Sequence, residues 1–199
     1  YPLCFSKGMV PDGLEKKTDA VQSPEQKQTK AEREKVIFKN YTECTKMLNE
    51  LFGLLYDEVC KSCIKMNAGQ GCCYGTGVEE VYNDKINAAR KQILEKAIAD
   101  DKETGFFCTY HVNGEGCLIP DLKSPKCIAH WCPSEEVEEK YGIKYDISRV
   151  REDLELVLAN TRLENGEWKY DSFDPQAVSS LKSYVQSMID SVKKVKSGA

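Results

Sequence analysis

The sequence predicts a mainly α-helical protein with a cysteine-rich region set between its helices. Several long stretches place apolar residues three or four positions apart, which is the spacing of one face of a helix. Eight of the ten cysteines fall between positions 60 and 132. Glycines, prolines and an Asn-Gly pair interrupt the helical spacing there, which is typical of loops and hairpins. We therefore expect a helical bundle of four or five helices with a loop-and-hairpin insert.

The overall composition narrows the possible organisation and partners. The chain has 199 residues and a net charge of −4, and its basic residues are dispersed, so no nucleic-acid surface is predicted. No apolar run is long enough to predict a membrane span. Residues 1–22 contain several glycines and prolines and are predicted to form a flexible N-terminal segment. Residues 23–199 are predicted to form a single helical domain, with residues 60–132 as its cysteine-rich region.

The first helix is predicted to begin at Ser23-Pro24 and to continue to about residue 65. Serine is a favourable N-cap, proline suits the first helical position, and no glycine or proline follows until Gly53. Cys44 lies on the apolar face of this helix, where a buried thiol acts as a small hydrophobic side chain. The predicted apolar face consists of Ile37, Tyr41, Cys44, Leu48, Leu51, Leu55 and Val59.

Capping and turn residues predict the remaining elements. Asn113-Gly114 is a strong signal for a two-residue hairpin turn, and Glu164-Asn165-Gly166 marks a second turn. Gly142 is expected to end a short acidic helix. We expect hairpins over residues 106–117 and around 164–168, and helices over residues 78–100, 135–141, from 146 and from 175.

The cysteines occur in short motifs of types that bind metal ions. In order they read C-K-S-C, G-C-C-Y, C-T-Y-H, G-C-L and C-I-A-H-W-C. Thiolates are soft ligands that favour zinc, copper(I) and iron–sulfur clusters. A C-x2-C pair at the end of a helix presents two thiols on the same face. The predicted metal ligands are Cys60, Cys63, Cys72, Cys73, Cys108, Cys117, Cys127 and Cys132.

The order of these motifs resembles the CxxCxxCC zinc- or iron-chelating proteins, and flagellin lysine-N-methylase-like proteins have a similar cysteine set. The resemblance covers residues 60–132, and its most specific parts are Cys72-Cys73 and Gly116-Cys117 followed by Pro125. It implies a metal or cluster centre and leaves the reaction unassigned. This chain has eight residues between Cys63 and Cys72, a longer gap than the family usually has.

An iron–sulfur cluster of the [4Fe–4S] type is the favoured cofactor, because the glycine-rich stretch 69–77 suits a group larger than a single ion. Zinc bound in two tetrahedral sites is the alternative. The expected role is electron transfer or cluster-dependent catalysis with a redox or protein partner, and whether the chain is an enzyme stays open. The expected compartment is the cytoplasm, where thiols stay reduced.

Two further readings bear on the site. His111 and His130 lie beside cysteines, and they are expected to donate hydrogen bonds to ligands rather than to bind metal themselves. The even cysteine count and the first residue, Tyr1, keep open a second hypothesis. In that hypothesis the chain is a secreted, disulfide-bonded binding or effector protein, and Asn40, which lies in an N-x-T sequence, carries a glycan.

Overall fold

A computed structural model describes residues 29–66, 81, 83–105, 108–112, 115–158, 160–162, 168–170 and 175–198. This part of the chain is mainly helical, which confirms the predicted class. It contains six α-helices and two two-stranded hairpins. The predicted flexible segment 1–22 and the Ser23-Pro24 signal lie outside the described residues. The helices are α1 Lys30–Met66, α2 Asp84–Ala99, α3 Pro125–Ile128, α4 Glu135–Tyr141, α5 Ile147–Val157 and α6 Pro175–Ser197.

Helix α1 begins at Lys30, later than predicted, because Thr29 and Glu32 form a capping box. The Glu32 N–H donates to Thr29 Oγ1 at 3.3 Å, and the Thr29 N–H donates to Glu32 Oε2 at 2.9 Å. These two bonds satisfy backbone donors that the first helical turn leaves without partners. The sequence T-x-x-E at residues 29–32 is the pattern that forms this capping box.

The predicted apolar face of α1 is buried from Ile37 to Leu55, and the side chain of Val59 lies outside the described part of the structure. Tyr41, Leu48 and Leu51 have no exposed surface, and Cys44 is 1% exposed. Helix α6 lies along α1 in the same direction, because Lys182 pairs with Glu43 and Lys193 pairs with Glu50, at 2.5 and 2.6 Å. These ion pairs lie at the surface and contribute little to stability. The contact between the two helices is therefore held mainly by burial of their apolar faces.

Helix α2 begins at Asp84 rather than at residue 78. Asn83 is its N-cap, and its side chain accepts a hydrogen bond from the Ile86 N–H at 3.0 Å. Val81 precedes the helix but is buried in the same core as Ile86. The predicted apolar face was therefore correct, although its first member lies outside the helix.

The cysteine-rich region includes a short hairpin formed by β1, His111–Val112, and β2, Gly116–Cys117. Val112 pairs with Gly116, so three residues separate the paired positions, where the Asn-Gly signal predicted two. Gly116, the strand residue that pairs with Val112, has a φ of 95°, a conformation that glycine adopts without steric cost. A 3₁₀ turn at Pro120–Leu122 and the short helix α3 follow the hairpin.

The last third of the chain agrees closely with the sequence prediction. Helix α4 is preceded by Ser134 and ends at Gly142, and α5 starts after Asp146, whose side chain caps the Arg149 N–H at 3.0 Å. Strands β3, Asn160–Arg162, and β4, Trp168–Tyr170, form the second hairpin. Val195 is 43% exposed, so the buried face of α6 ends at Val192.

Buried side chains from α1, α2, α3, α4, α5 and α6 form a continuous hydrophobic core. In the acidic helix α4, Glu138 is half-buried and contacts the aromatic side of this core. The Glu138 carboxylate accepts hydrogen bonds from the Trp131 indole at 2.9 Å and from the Tyr145 N–H at 3.3 Å. Trp131 stacks on Tyr145, with ring centroids 4.2 Å apart, and contacts Phe52 of α1. None of the helices in the described part of the chain is both long and apolar enough to cross a membrane.

Replacement of Gly142 by alanine tests the left-handed end of α4. Gly142 has a φ of 61° with open space around it, so the cost of Gly142→Ala is conformational. We expect a loss of about 1 kcal/mol in the free energy of unfolding, measured with urea. Gly53→Ala is the control, because Gly53 lies within α1 and a Cβ added there would meet no atom within 4 Å. It should stabilise the protein by about 0.5–1 kcal/mol, and equal effects in both variants would contradict this account.

Candidate metal centre

Residues 120–123 are fixed by hydrogen bonds from two helices to four consecutive backbone carbonyls. Asn49 Nδ2 donates to the carbonyl of residue 120 at 2.8 Å, and Thr45 Oγ1 donates to that of residue 121 at 2.6 Å. Arg90 Nε donates to the carbonyl of residue 122 at 2.7 Å, and the Tyr41 hydroxyl donates to that of residue 123 at 2.5 Å. Because irregular backbone next to a core needs partners for its carbonyls, these four bonds determine the path of the segment.

The three donors from α1 are spaced by four residues along the helix. Tyr41, Thr45 and Asn49 therefore lie on successive turns of one face. Their carbonyl partners run from residue 123 to residue 120, so the segment crosses α1 in the opposite direction. Cys117 and Cys127 lie on either side of this segment. Helix α1 thus fixes the separation of two predicted ligands, although neither is part of it.

Cys127 is positioned by the N-terminus of α3. Ser124 is 2% exposed, and its hydroxyl accepts a hydrogen bond from the Cys127 N–H at 3.3 Å. Pro125 occupies the first helical position, where it needs no hydrogen-bond partner. The sequence S-P-K-C therefore places the thiol on a single capped helical turn.

Cys108 and His111 are joined by a tight turn. The His111 N–H donates to the Cys108 carbonyl at 3.0 Å, so the C-x2-H sequence closes on itself. His111 is directly opposite Cys117 in the hairpin. Side chains of directly opposed residues lie on the same face of an antiparallel pair, with their Cβ atoms about 5 Å apart. The hairpin therefore brings Cys108, His111 and Cys117 into one small region.

The Cys117 thiol is electrostatically coupled to two other cysteines. Burial raises its pKa most strongly, and Cys108 and Cys127 also raise it, whereas Lys123 and a hydrogen bond from the Ile119 N–H lower it. The thiol is therefore protonated at neutral pH when no metal is present. A metal ion displaces this proton, and an amide N–H directed at sulfur stabilises the resulting thiolate.

Arg90 is a buried cation beside the same thiols. It is 4% exposed, and burial lowers the pKa of its guanidinium, while Tyr41, Tyr110, Cys127 and Cys117 raise it. The buried charge favours any negative charge that develops on the neighbouring sulfurs. A centre made of thiolates carries such a charge, and neutral thiols do not.

The His111 side chain is buried, with 6% of its surface exposed. Among the residues that the structure describes, no atom forms a hydrogen bond with its Nε2 atom. A buried polar atom without a partner costs about 1–3 kcal/mol. A ligand at this position would remove that cost. We call Cys108, His111, Cys117 and Cys127, together with Arg90, the hairpin site.

The eight predicted ligands are described to different extents. Cys60 and Cys63 lie in the last turns of α1, where only the backbone is described, and Cys72 and Cys73 lie outside the described residues. Cys108 and Cys127 lie near enough to the Cys117 thiol to influence its pKa. Cys132 is exposed and follows Trp131 beyond the end of α3.

The donor chemistry of the hairpin site fits a soft metal. It offers three thiols, an imidazole nitrogen without a partner and a nearby cation that stabilises thiolates. Within the described residues, however, no three His, Cys, Asp or Glu side chains converge closely enough to hold a metal ion. Metal binding at the hairpin site would therefore have to draw the side chains inward.

Comparison with known proteins gives no assignment. No protein family, curated protein or solved structure matches this chain. The resemblance to the CxxCxxCC proteins therefore rests on the cysteine motifs alone.

Two residues of the hairpin site were missed or underrated in the sequence. Arg90 lies on a helix that carries other charged residues, and nothing in its surroundings predicts burial. The sequence predicts that His111 donates a hydrogen bond, whereas its Nε2 atom is buried and has no hydrogen-bond partner among the described residues. No local signal in the sequence predicts that burial.

Thr45→Val tests whether the bonds to residues 120–123 hold the site together. Valine has nearly the shape of threonine but leaves the carbonyl of residue 121 without its donor. We expect a loss of about 1–3 kcal/mol in the free energy of unfolding, measured with urea. Thr42→Val is the matched control, because the Thr42 hydroxyl bonds only within α1, to Phe38 O at 2.7 Å. An equal loss in both variants would mean that the contact with residue 121 contributes nothing.

Cys44 predicts a specific loss of stability at alkaline pH. Burial raises the pKa of its thiol from 9.0 to about 11. The folded state therefore favours the protonated thiol, so this contribution is complete below pH 9 and is lost as the pH rises towards 11. The loss amounts to about 2–3 kcal/mol. Urea unfolding at several pH values should show a smaller decline between pH 9 and 11 for Cys44→Ala than for the unchanged protein.

Proposed function

We propose that this chain is a metal-binding protein whose cysteine thiolates hold an iron–sulfur centre. A [4Fe–4S] cluster is the favoured centre, and zinc is the alternative. One observation carries the proposal: the thiols of Cys108 and Cys127, from a loop and a short helix, lie near enough to influence the Cys117 thiol, and buried Arg90 lies near Cys117 and Cys127. Because soft metals favour thiolate ligands and Arg90 favours negative charge, this environment suits a metal–thiolate centre. The order of the cysteine motifs supports the same proposal.

The proposed compartment is the cytoplasm, and secretion is the alternative. Thiols that bind metal must stay reduced, and the cytoplasm keeps thiols reduced. A secreted chain would instead pair its cysteines in disulfides.

The proposed role is electron transfer, or catalysis that depends on the cluster. When bound, an iron–sulfur centre exchanges electrons. Cys108, Cys117 and Cys127 would supply thiolates to the centre, and Arg90 would balance part of its negative charge. Trp131, stacked on Tyr145, shields the region that leads to Cys132. The partner would be a redox protein or the protein on which the centre acts.

Anaerobic purification followed by elemental analysis tests the proposal. We expect iron and acid-labile sulfide, with a brown colour that oxidation bleaches, or zinc if the alternative holds. Cys117→Ser should reduce the metal content per chain because it removes a thiolate from the hairpin site. Cys44→Ala is the control, since its sulfur is buried in the apolar core, and it should retain the full metal content.

Two outcomes would contradict the proposal. One is an anaerobic preparation that contains no stoichiometric metal. The other is the absence of titratable thiols under denaturing, non-reducing conditions, because all the cysteines would then be paired in disulfides, as the secreted alternative requires. A loss of metal in Cys44→Ala equal to that in Cys117→Ser would show that the effect comes from general destabilisation.

A further inference from the structure

We propose that Tyr41, Thr45 and Asn49 are positioning residues of the metal centre: their hydrogen bonds to residues 120–123 order the backbone between Cys117 and Cys127 before metal binds, and they slow the release of bound metal. The inference rests on the proposed function, because it takes Cys117 and Cys127 as thiolate ligands of the centre. It adds a role in metal retention for three side chains that contain no sulfur.

The Thr45 hydroxyl bonds to the segment although acceptors in its own helix lie close by. It is 3.1 Å from the carbonyls of Tyr41 and Thr42, and 2.6 Å from the carbonyl of residue 121. A hydroxyl has one proton to donate, and the carbonyl of residue 121 is its nearest acceptor. Thr45 has no exposed surface, so water does not compete for this proton. The side chain therefore serves the contact with residue 121 before it serves α1.

Asn49 contacts both the backbone and a side chain of the same segment. Its Nδ2 atom donates to the carbonyl of residue 120 at 2.8 Å and to Asp121 Oδ1 at 3.1 Å. An amide group has two protons on this nitrogen, so both bonds can form at once. Asn49→Asp keeps the size of the side chain, removes both donors and places a carboxylate against that of Asp121. This substitution therefore opposes the contact directly.

The backbone on either side of residues 120–123 is ordered by bonds that involve no metal. On one side Cys117 pairs with His111, and the Leu118 N–H donates to the carbonyl of residue 110 at 2.7 Å. On the other side the Ile128 N–H donates to the Ser124 carbonyl at 2.9 Å. Residues 120–123 connect these two ordered parts, and α1 supplies three of the four side-chain donors to their carbonyls. The separation of Cys117 and Cys127 therefore depends on α1.

An ordered backbone favours metal retention for two reasons. A chain that is already ordered loses less conformational entropy when a ligand binds. Release of the metal also requires its ligands to move apart, and movement of residues 120–123 away from α1 would break the bonds to Tyr41, Thr45 and Asn49. Loss of one of these bonds should therefore make release faster.

Metal release from the anaerobically purified full-length protein tests the inference. A chromogenic chelator that binds both Fe²⁺ and Zn²⁺ follows the release per bound metal, whichever metal the centre holds. We expect release to be about fivefold faster in Thr45→Val, which loses one hydrogen bond, and about tenfold faster in Asn49→Asp, which loses two. Thr45→Ser retains the hydroxyl and should release metal at the rate of the unchanged protein.

Two further measurements separate positioning from a general loss of stability. Val185 is 1% exposed on α6 and is not a donor to residues 120–123, so Val185→Ala should unfold at a lower urea concentration and release metal at the unchanged rate. In the metal-free protein, the Leu122 N–H donates to the Ile119 carbonyl at 3.0 Å and should be protected from hydrogen exchange. That protection should fall in Asn49→Asp and remain in Val185→Ala.

The outcomes distinguish this inference from the proposed function. If the unchanged protein contains metal, and Thr45→Val and Asn49→Asp release it at the unchanged rate, the inference is wrong and the proposed function stands. Equally fast release from Val185→Ala would also overturn the inference. If the unchanged protein contains no metal, both proposals fail. If Asn49→Asp does not fold, faster release from Tyr41→Phe is the required result, because this change removes only the hydroxyl that donates to residue 123.

Discussion

The four hydrogen bonds to the carbonyls of residues 120–123 are the constraint on which the geometry of the cysteine-rich region depends. This segment has no sheet partner and little helical structure, so its carbonyls need donors from elsewhere. Tyr41, Thr45 and Asn49 supply three donors from one face of α1, and Arg90 supplies the fourth from α2. Helix α1 thereby fixes the path of residues 120–123, and the predicted ligands Cys117 and Cys127 lie on either side of this segment in the sequence. The positions of Cys117 and Cys127 are consequences of that path and not of local cysteine spacing.

The same interaction explains why Arg90 is buried. Its Nε atom is needed at the carbonyl of residue 122, and the reach of the side chain leaves the guanidinium beside Cys117 and Cys127. Burial of a cation is costly unless negative charge or hydrogen-bond acceptors lie close by. Arg90 therefore has two effects. Its Nε atom positions the backbone at residue 122, and its positive charge favours the thiolate form of Cys117 and Cys127.

The helices could be predicted well because their apolar faces are continuous. Leu48, Leu154 and Leu181 are buried as their spacing predicts, and Gly142 and Asp146 mark helix ends correctly. The site was harder to predict because its members depend on register. A two-residue turn would have placed Tyr110 opposite Cys117, whereas the observed three-residue connection places His111 there. A shift of one residue exchanges the two faces of a strand, and local turn signals do not determine it.

Charge balance shows what Arg90 contributes beside these thiols. Each thiol that loses its proton adds one negative charge, and clustered negative charges are costly to keep in a partly buried position without compensation. Arg90 contributes +1 beside Cys117 and Cys127. Thiolates formed there would therefore be less costly than thiolates in a buried place without a cation, and this difference comes from a helix that carries no cysteine.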